Sequence, residues 1–264
     1  MVPRYAERNK PDILDPIFLH RDRHMIEAIL FDFDDTLINY QVSERYGLTR
    51  ALELCGVQVR EEHLQIYREE NQRLWKLVEK GEMSTAELRI RRFEILLART
   101  GLQVDISPEK LGELYLHHFA EVGELEDGAL QLLRWVKNHP RLKTAILTNG
   151  FKDTQRRRFA VTQVEEFFDE LFISGEMGVK KPEPAIFHMS LEKLKISNPQ
   201  QVLIVGDNLV SDIMGGRGAG LQTCWYNPEG KDPGEYSRYI DYEINHLSEL
   251  PGLPVLEGYE RNKG

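Results

Sequence analysis

The chain has 264 residues, 41% hydrophobic and 29% charged, enough for one sizeable core or a core carrying a smaller appended unit. A formal net charge of −9 argues against binding a nucleic-acid polymer, which normally takes a basic face, and no apolar run approaches the roughly 20 residues that cross a bilayer. Two distant cysteines, Cys55 and Cys224, without metal-type spacing, point to a reducing, cytoplasmic setting rather than a disulfide framework.

Residues 1–25 read as an N-terminal extension. The stretch contains acidic residues and lacks the apolar core of a signal peptide, and Ile17, Phe18 and Leu19 are its only ordering candidates. The run 28–31 (Ala-Ile-Leu-Phe) then has the unbroken apolar character of a strand buried on both faces. It opens directly into Asp32-Phe33-Asp34-Asp35-Thr36-Leu37. Alternation along an extended chain places Asp32 and Asp34 on one side, where like charges repel unless a cation or a proton intervenes. Two aspartates sharing a site can divide the work of nucleophile and acid/base, although an acidic surface turn is an equal reading of this segment alone.

From about residue 40 to 123 no strand-like run occurs. Four helices are expected, at 41–55, 59–80, 84–100 and 108–122, separated at Gly56, Gly81 and Gly101. Ser84 and Glu87 form a capping box at the third. Beyond residue 128, helical patterns at 129–138, 154–161, 184–194 and 209–219 alternate with apolar runs at 145–147, 171–173, 202–205 and 223–226. The pattern predicts an α/β fold: a doubly wound parallel-sheet core from 26–39 and 124–255, interrupted by an inserted all-helical unit over 40–123.

Three later segments carry chemistry at strand ends. Leu147-Thr148-Asn149-Gly150 offers a hydroxyl and backbone N–H groups that can hold a phosphoryl oxygen, or is a plain Asn-Gly turn. Lys180-Lys181-Pro182 supplies charge that can balance a carboxylate and a phosphoryl group, although surface lysines are commonplace. Gly206-Asp207 is followed by Asp212, about one helical turn on; Asp207 or Asn208 could equally be a helix N-cap. In open α/β sheets ligands bind beyond the carboxyl ends of the strands, and here four such ends converge. Aspartates with waters and substrate phosphate make an oxygen set suited to Mg²⁺.

With those four segments in order, the sequence resembles the haloacid dehalogenase-like (HAD) hydrolase superfamily over about residues 27 to 227. The carriers are Asp32-Phe33-Asp34-Asp35-Thr36, Leu147-Thr148-Asn149-Gly150, Lys181-Pro182, and Gly206-Asp207 with Asp212. The resemblance implies that Asp32 attacks phosphorus and binds Mg²⁺. Asp34 would protonate the leaving oxygen and then activate water, with its backbone carbonyl on the metal. Thr148 and Asn149 would hold the phosphoryl group, Lys181 would balance charge, and Asp207 would ligate Mg²⁺. Asp212 would support the metal and Thr36 would shape the loop. Lys181 is preferred to Lys180 because it directly precedes proline.

Within the superfamily the chain is similar to the helical-cap branch that includes pyrimidine 5'-nucleotidases. The stretches are Gly81 to Leu88 with Arg92-Phe93, Phe151 with Gln155 and Arg157, and Cys224-Trp225-Tyr226-Asn227. N-acylneuraminate 9-phosphatases and phosphoglycolate phosphatases are similar at this depth. The expected activity is a Mg²⁺-dependent phosphatase of small phosphate esters, as a monomer or homodimer, with the helical cap setting specificity. Tyr40, Tyr46, Trp75, Arg89 and Arg92 are candidate substrate contacts, against the plainer reading of core aromatics and surface pairs. The rivals are a haloacid dehalogenase, which needs neither the acid at Asp34 nor the metal set, a phosphomutase, and a non-catalytic binder on the same fold.

Overall fold

Strands β1 (Ala28–Phe31), β2 (Lys143–Thr148), β3 (Glu170–Ile173), β4 (Val202–Gly206), β5 (Gln222–Tyr226) and β6 (Tyr242–Ile244) pair in parallel as one sheet. Their spatial order is β3-β2-β1-β4-β5-β6. The structure, a computed structural model, describes residues 25–260; the extension assigned to 1–25 lies, apart from Met25, outside the described residues.

The sheet is buried on both faces because helices cover both. The helices after the insert include α5 (Ala129–Lys137), α6 (Lys152–Thr162), α7 (Ser174–Met177), α8 (Pro184–Leu194) and α9 (Gly215–Gly218), numbered after the four given below. Ile29, Phe31, Ile146, Leu203 and Val205 pack with Leu132 and Val136 of α5 and Phe159 of α6. Their sequence neighbours Leu30, Ala145, Leu147, Val202 and Ile204 pack on the opposite face with Ile186, Phe187 and Leu191 of α8. Alternate residues thus feed two cores, which is why the strands read as unbroken apolar runs. Full burial of each such aliphatic side chain contributes about 1.5–3 kcal/mol.

Between β1 and β2 lie α1 (Tyr40–Leu54), α2 (Glu61–Glu79), α3 (Thr85–Thr100) and α4 (Pro108–Phe119). Local chemistry sets their ends. Asn39 caps α1, and Ser84 and Glu87 form the reciprocal capping box of α3. Ser107 caps α4 ahead of Pro108, and Gly101 ends α3 at φ +67°, a conformation open to glycine. The four helices enclose their own core of Leu48, Leu52, Tyr67, Phe93, Leu96 and Tyr115. The chain enters and leaves this insert side by side: Asn39 N–H donates to Glu124 O at 2.9 Å, and Glu126 N–H donates to Leu37 O at 3.0 Å. The end of α2 meets the sheet's carboxyl edge, where Lys180 Nζ donates to Val78 O at 2.5 Å and Asn208 Nδ2 to Glu79 Oε1 at 2.9 Å.

Three of the named elements differ from the sequence reading; α7, a single turn of four residues, has no counterpart in it. β6 is an edge strand of three residues, Tyr-Glu-Ile, too short for a period to show. The segment expected as one helix over 209–219 is a wide π turn, Leu209–Met214, followed by the short α9. Ile213 N–H reaches back five residues to Asn208 O at 3.3 Å, the spacing of a π turn, while the Asn208 side chain caps it by accepting from Val210 N and Ser211 N.

Candidate active site

β1 and β4 are adjacent, but the chain leaves them in opposite directions, towards β2 and β3 on one side and β5 and β6 on the other. The carboxyl ends of these two strands therefore border the switch-point crevice of the sheet. Asp32 follows β1, Thr148 ends β2, and Asp207 follows β4.

Lys181 is the hub. It is 1% exposed, and its Nζ donates to Asp32 Oδ1 and Asp212 Oδ1, each at 2.6 Å. Its backbone is clamped by the Asn149 amide: Asn149 Nδ2 donates to Lys181 O, and Lys181 N–H to Asn149 Oδ1, both at 2.8 Å. Asn149, expected to hold the phosphoryl group, thus has its side chain engaged in seating the lysine. Lys180 points instead at the end of α2, which separates the two neighbouring lysines. Asp212 reaches the crevice because residue 206 is glycine; a Cβ there would lie 2.4 Å from Asp212 Oδ2. Asn208 N–H donates to that same oxygen at 3.1 Å.

Oxygen atoms of Asp32, Asp207 and Asp212 all lie within 4.8 Å of one another. Burial pushes the Asp32 carboxyl up to about 7, with Lys181 opposing and Asp212 reinforcing the rise. Asp207 is raised well above the carboxylate range by burial and by its neighbours Asp32 and Asp212. Burial works to depress Lys181, but Asp212 and Asp32 outweigh it and hold the ammonium well above its usual value. One cation facing three crowded carboxylates leaves a surplus of negative charge on an all-oxygen donor set, which fits a hard divalent cation.

A second network adjoins the first. Both oxygens of Asp34 are engaged: Oδ1 accepts from Arg158 Nη1, and Oδ2 from Gln155 Nε2 at 2.8 Å. The same Gln155 nitrogen donates to Thr148 Oγ1 at 2.9 Å, and Gly150 N–H donates to that hydroxyl at 3.1 Å. Thr148 accepts twice, so its own hydroxyl proton is available to donate. Gly150 makes room for Gln155, whose Nε2 would lie 2.2 Å from a Cβ at that position. Thr36, fully buried, accepts from Asp207 N–H at 3.2 Å and ties the loop after β1 to the loop after β4. Asp35 turns the chain at φ +56° and accepts from Tyr40 N–H at 3.2 Å.

The structure thus brings Asp32, Lys181, Asp207 and Asp212 into one cluster, Asp34 and Thr148 into the next, and Thr36 and Asn149 beneath them. Arg158 was not singled out in the sequence. Arg157, named there with Gln155, is exposed, with Nη1 at 3.3 Å from His117 Nδ1. The available signal was the helical spacing of Thr154, Gln155, Arg158 and Phe159, the buried residues of α6. Among the contact candidates in the insert, Tyr46 is 37% exposed, whereas Trp75 and Arg89 pack on Phe151, at 5.9 and 4.1 Å from its ring centroid.

A family model described as hydrolase, haloacid dehalogenase-like hydrolase, matches residues 26–220. The chain is 35% identical to the pyrimidine 5'-nucleotidase YjjG of Escherichia coli (strain K12) over 231 residues, covering 85% of this chain and 96% of that one. It is 32% identical to the pyrimidine 5'-nucleotidase PynA of Streptococcus pneumoniae (strain ATCC BAA-255 / R6), over 76% of this chain and 83% of the relative. Its fold is similar to the crystal structure of the HAD-hydrolase YfnB from Bacillus subtilis, described as bound to magnesium and as revealing interdomain movement. That match has a TM-score of 0.80 and 32% identity, over 88% of this chain and 99% of that one.

Proposed function

The chain belongs to the haloacid dehalogenase-like hydrolase family, and we propose that it is a Mg²⁺-dependent phosphomonoesterase that works through an aspartyl-phosphate on Asp32. The observation that carries this reading is Lys181 Nζ held 2.6 Å from both Asp32 and Asp212, with Asp207 completing the carboxylate cluster.

With Oδ1 held by Lys181, Asp32 attacks phosphorus through its other oxygen. The ester P–O bond breaks, and Asp34 delivers a proton to the leaving oxygen. Asp34 then takes a proton from water, which attacks the acyl phosphate and restores Asp32 with release of phosphate. Thr148 donates its hydroxyl proton to a phosphoryl oxygen, and Lys181 balances charge on nucleophile and phosphoryl group. Asp32, Asp207 and the backbone carbonyl of Asp34 would hold Mg²⁺, supported by Asp212. Its contribution there is to shield the carboxylate nucleophile from the anionic ester.

The helical insert acts as a cap over the crevice, hinged on the paired segments around Leu37 and Glu126, and excludes water during the first step. The substrate class we favour is nucleoside 5'-monophosphates, on the similarity to YjjG and PynA. The test is phosphate release, with and without Mg²⁺, from pyrimidine and purine nucleotides, phosphoglycolate, sugar phosphates and an aryl phosphate. Fastest turnover of pyrimidine nucleotides supports the whole reading. Turnover without nucleotide preference leaves the phosphatase and removes the nucleotidase. Halide release from a 2-haloacid with no ester turned over would mark a dehalogenase instead.

A further inference from the structure

The core of the insert holds a charged side chain that its surroundings do not satisfy. Arg92 of α3 is 1% exposed, and its Nη1 donates to Asn71 Oδ1 at 3.3 Å. Its Nε and Nη2 have no hydrogen-bond partner. These two nitrogens form one edge of the guanidinium, the fork that grips a pair of acceptors side by side. The neighbouring carboxylate of Glu44 is hydrogen-bonded elsewhere: it accepts from Arg68 Nε and Asn71 Nδ2, both at 3.1 Å. Aromatic rings surround the unpaired fork, with the guanidinium 4.7 Å from the Tyr115 centroid and 5.8 Å from that of Tyr67. The hydroxyls of these two tyrosines are likewise buried without a hydrogen-bond partner.

This cluster of unmet donors is tied to the strand-end loops from two sides. Phe151, whose ring lies 5.9 Å from the Arg92 guanidinium, directly follows the Thr148-Asn149-Gly150 segment. Tyr40, whose hydroxyl accepts from Asn71 Nδ2 at 2.9 Å, donates its backbone N–H to Asp35. Leaving one edge of a buried guanidinium without acceptors is costly to the free protein, and beside Phe151 that edge is placed where the acceptors of a ligand would satisfy it.

We propose that Arg92 is the specificity-determining residue of the insert, and that its Nε–Nη2 fork binds a planar two-acceptor edge on the part of the ester remote from phosphorus. The inference rests on the phosphatase reading above and deepens it. Two substrate groups present such an edge: the O2 and N3 of a cytosine ring, which also stacks on aromatics, and a carboxylate. Separation of the insert from Phe151 admits the group, and closure buries it between the tyrosines and that ring.

The test compares wild type with Arg92→Met and Arg92→Lys in the full chain with Mg²⁺, on CMP, UMP, phosphoglycolate and an aryl phosphate. In both variants kcat/KM for the preferred two-acceptor ester falls about 50-fold or more, because lysine lacks the fork, while aryl phosphate turnover stays within about threefold. A loss confined to CMP identifies the base edge, and one confined to phosphoglycolate identifies the carboxylate. Thermal melting of the ligand-free proteins separates a structural role: removing an unmet buried charge leaves Arg92→Met at least as stable as wild type. An unchanged ranking of esters, an equal loss on all four, or a collapsed melting temperature in both variants would each overturn the inference while leaving the phosphatase standing. A wild type that hydrolyses none of the esters would remove both.

Discussion

Arg158 of α6 donates to Asp34 Oδ1 across 124 residues of chain, and Gln155, one turn earlier on the same helix, donates to Oδ2. The proposed acid/base is therefore oriented by a helix on the far side of β2 rather than by its own loop. The arginine is fully buried, with its guanidinium 5.0 Å from the Phe33 ring centroid and 4.5 Å from that of Phe119. It bridges the loop after β1 and the last helix of the insert.

Replacing it tests that arrangement. Arg158→Met retains the packing volume but frees Asp34, whose side chain is 26% exposed. Solvent screening limits the loss of the ion pair, so the expected destabilisation is about 1–3 kcal/mol by urea unfolding. The kcat is expected to fall by about 10–100-fold with KM nearly unchanged, because orientation of the acid matters in the transition state. A variant with wild-type kcat would show that Asp34 needs no help from α6.

Gly206 is a sharper probe of Asp212. Gly206→Ala places a methyl 2.4 Å from Asp212 Oδ2, which must move away from Lys181 and from the Asn208 amide. Loss of a supporting contact of this kind typically lowers metal affinity or activity about 10–100-fold. The measurement is kcat/KM against Mg²⁺ concentration, with the half-saturating concentration shifted upward. Unaltered Mg²⁺ dependence would mean that Asp212 does not support the metal.

The crowding of Asp32, Asp207 and Asp212 predicts that a divalent cation stabilises the fold in the absence of substrate. At 100 times its Kd, Mg²⁺ adds about 2.7 kcal/mol, equivalent to a rise in Tm of about 5–10 °C for a chain of this size. Chelation reverses the shift, and Asp207→Asn removes most of it. The check is a thermal melt of each protein with and without Mg²⁺.

Much of this site is legible in the sequence because buried parallel strands are continuous apolar runs, and whatever follows such a run stands at the sheet's edge. That logic leads to Asp32, Thr148 and Asp207 directly. Lys181 and Asp212 are legible through their order in the motif set. Arg158 is not: its partner is 124 residues away, and α6 is polar enough that one buried arginine among Arg156, Arg157 and Arg158 cannot be told from its neighbours without packing. Asn149 is legible as a turn residue but not as the clamp on Lys181, a contact between loops 32 residues apart. The π turn at Leu209–Met214 rests on Ile213 N–H reaching back five residues to Asn208 O, a backbone pairing that apolar periodicity does not register.

The central claim is a covalent phosphoryl group on Asp32, and rapid-quench mass spectrometry of the enzyme turning over its best ester with Mg²⁺ tests it most directly. The account predicts a transient gain of one phosphoryl group, mapped to the peptide that contains Asp32, and neither adduct nor turnover in Asp32→Asn. Hydrolysis that persists in Asp32→Asn, or a phosphoryl group mapped to another residue, would contradict it.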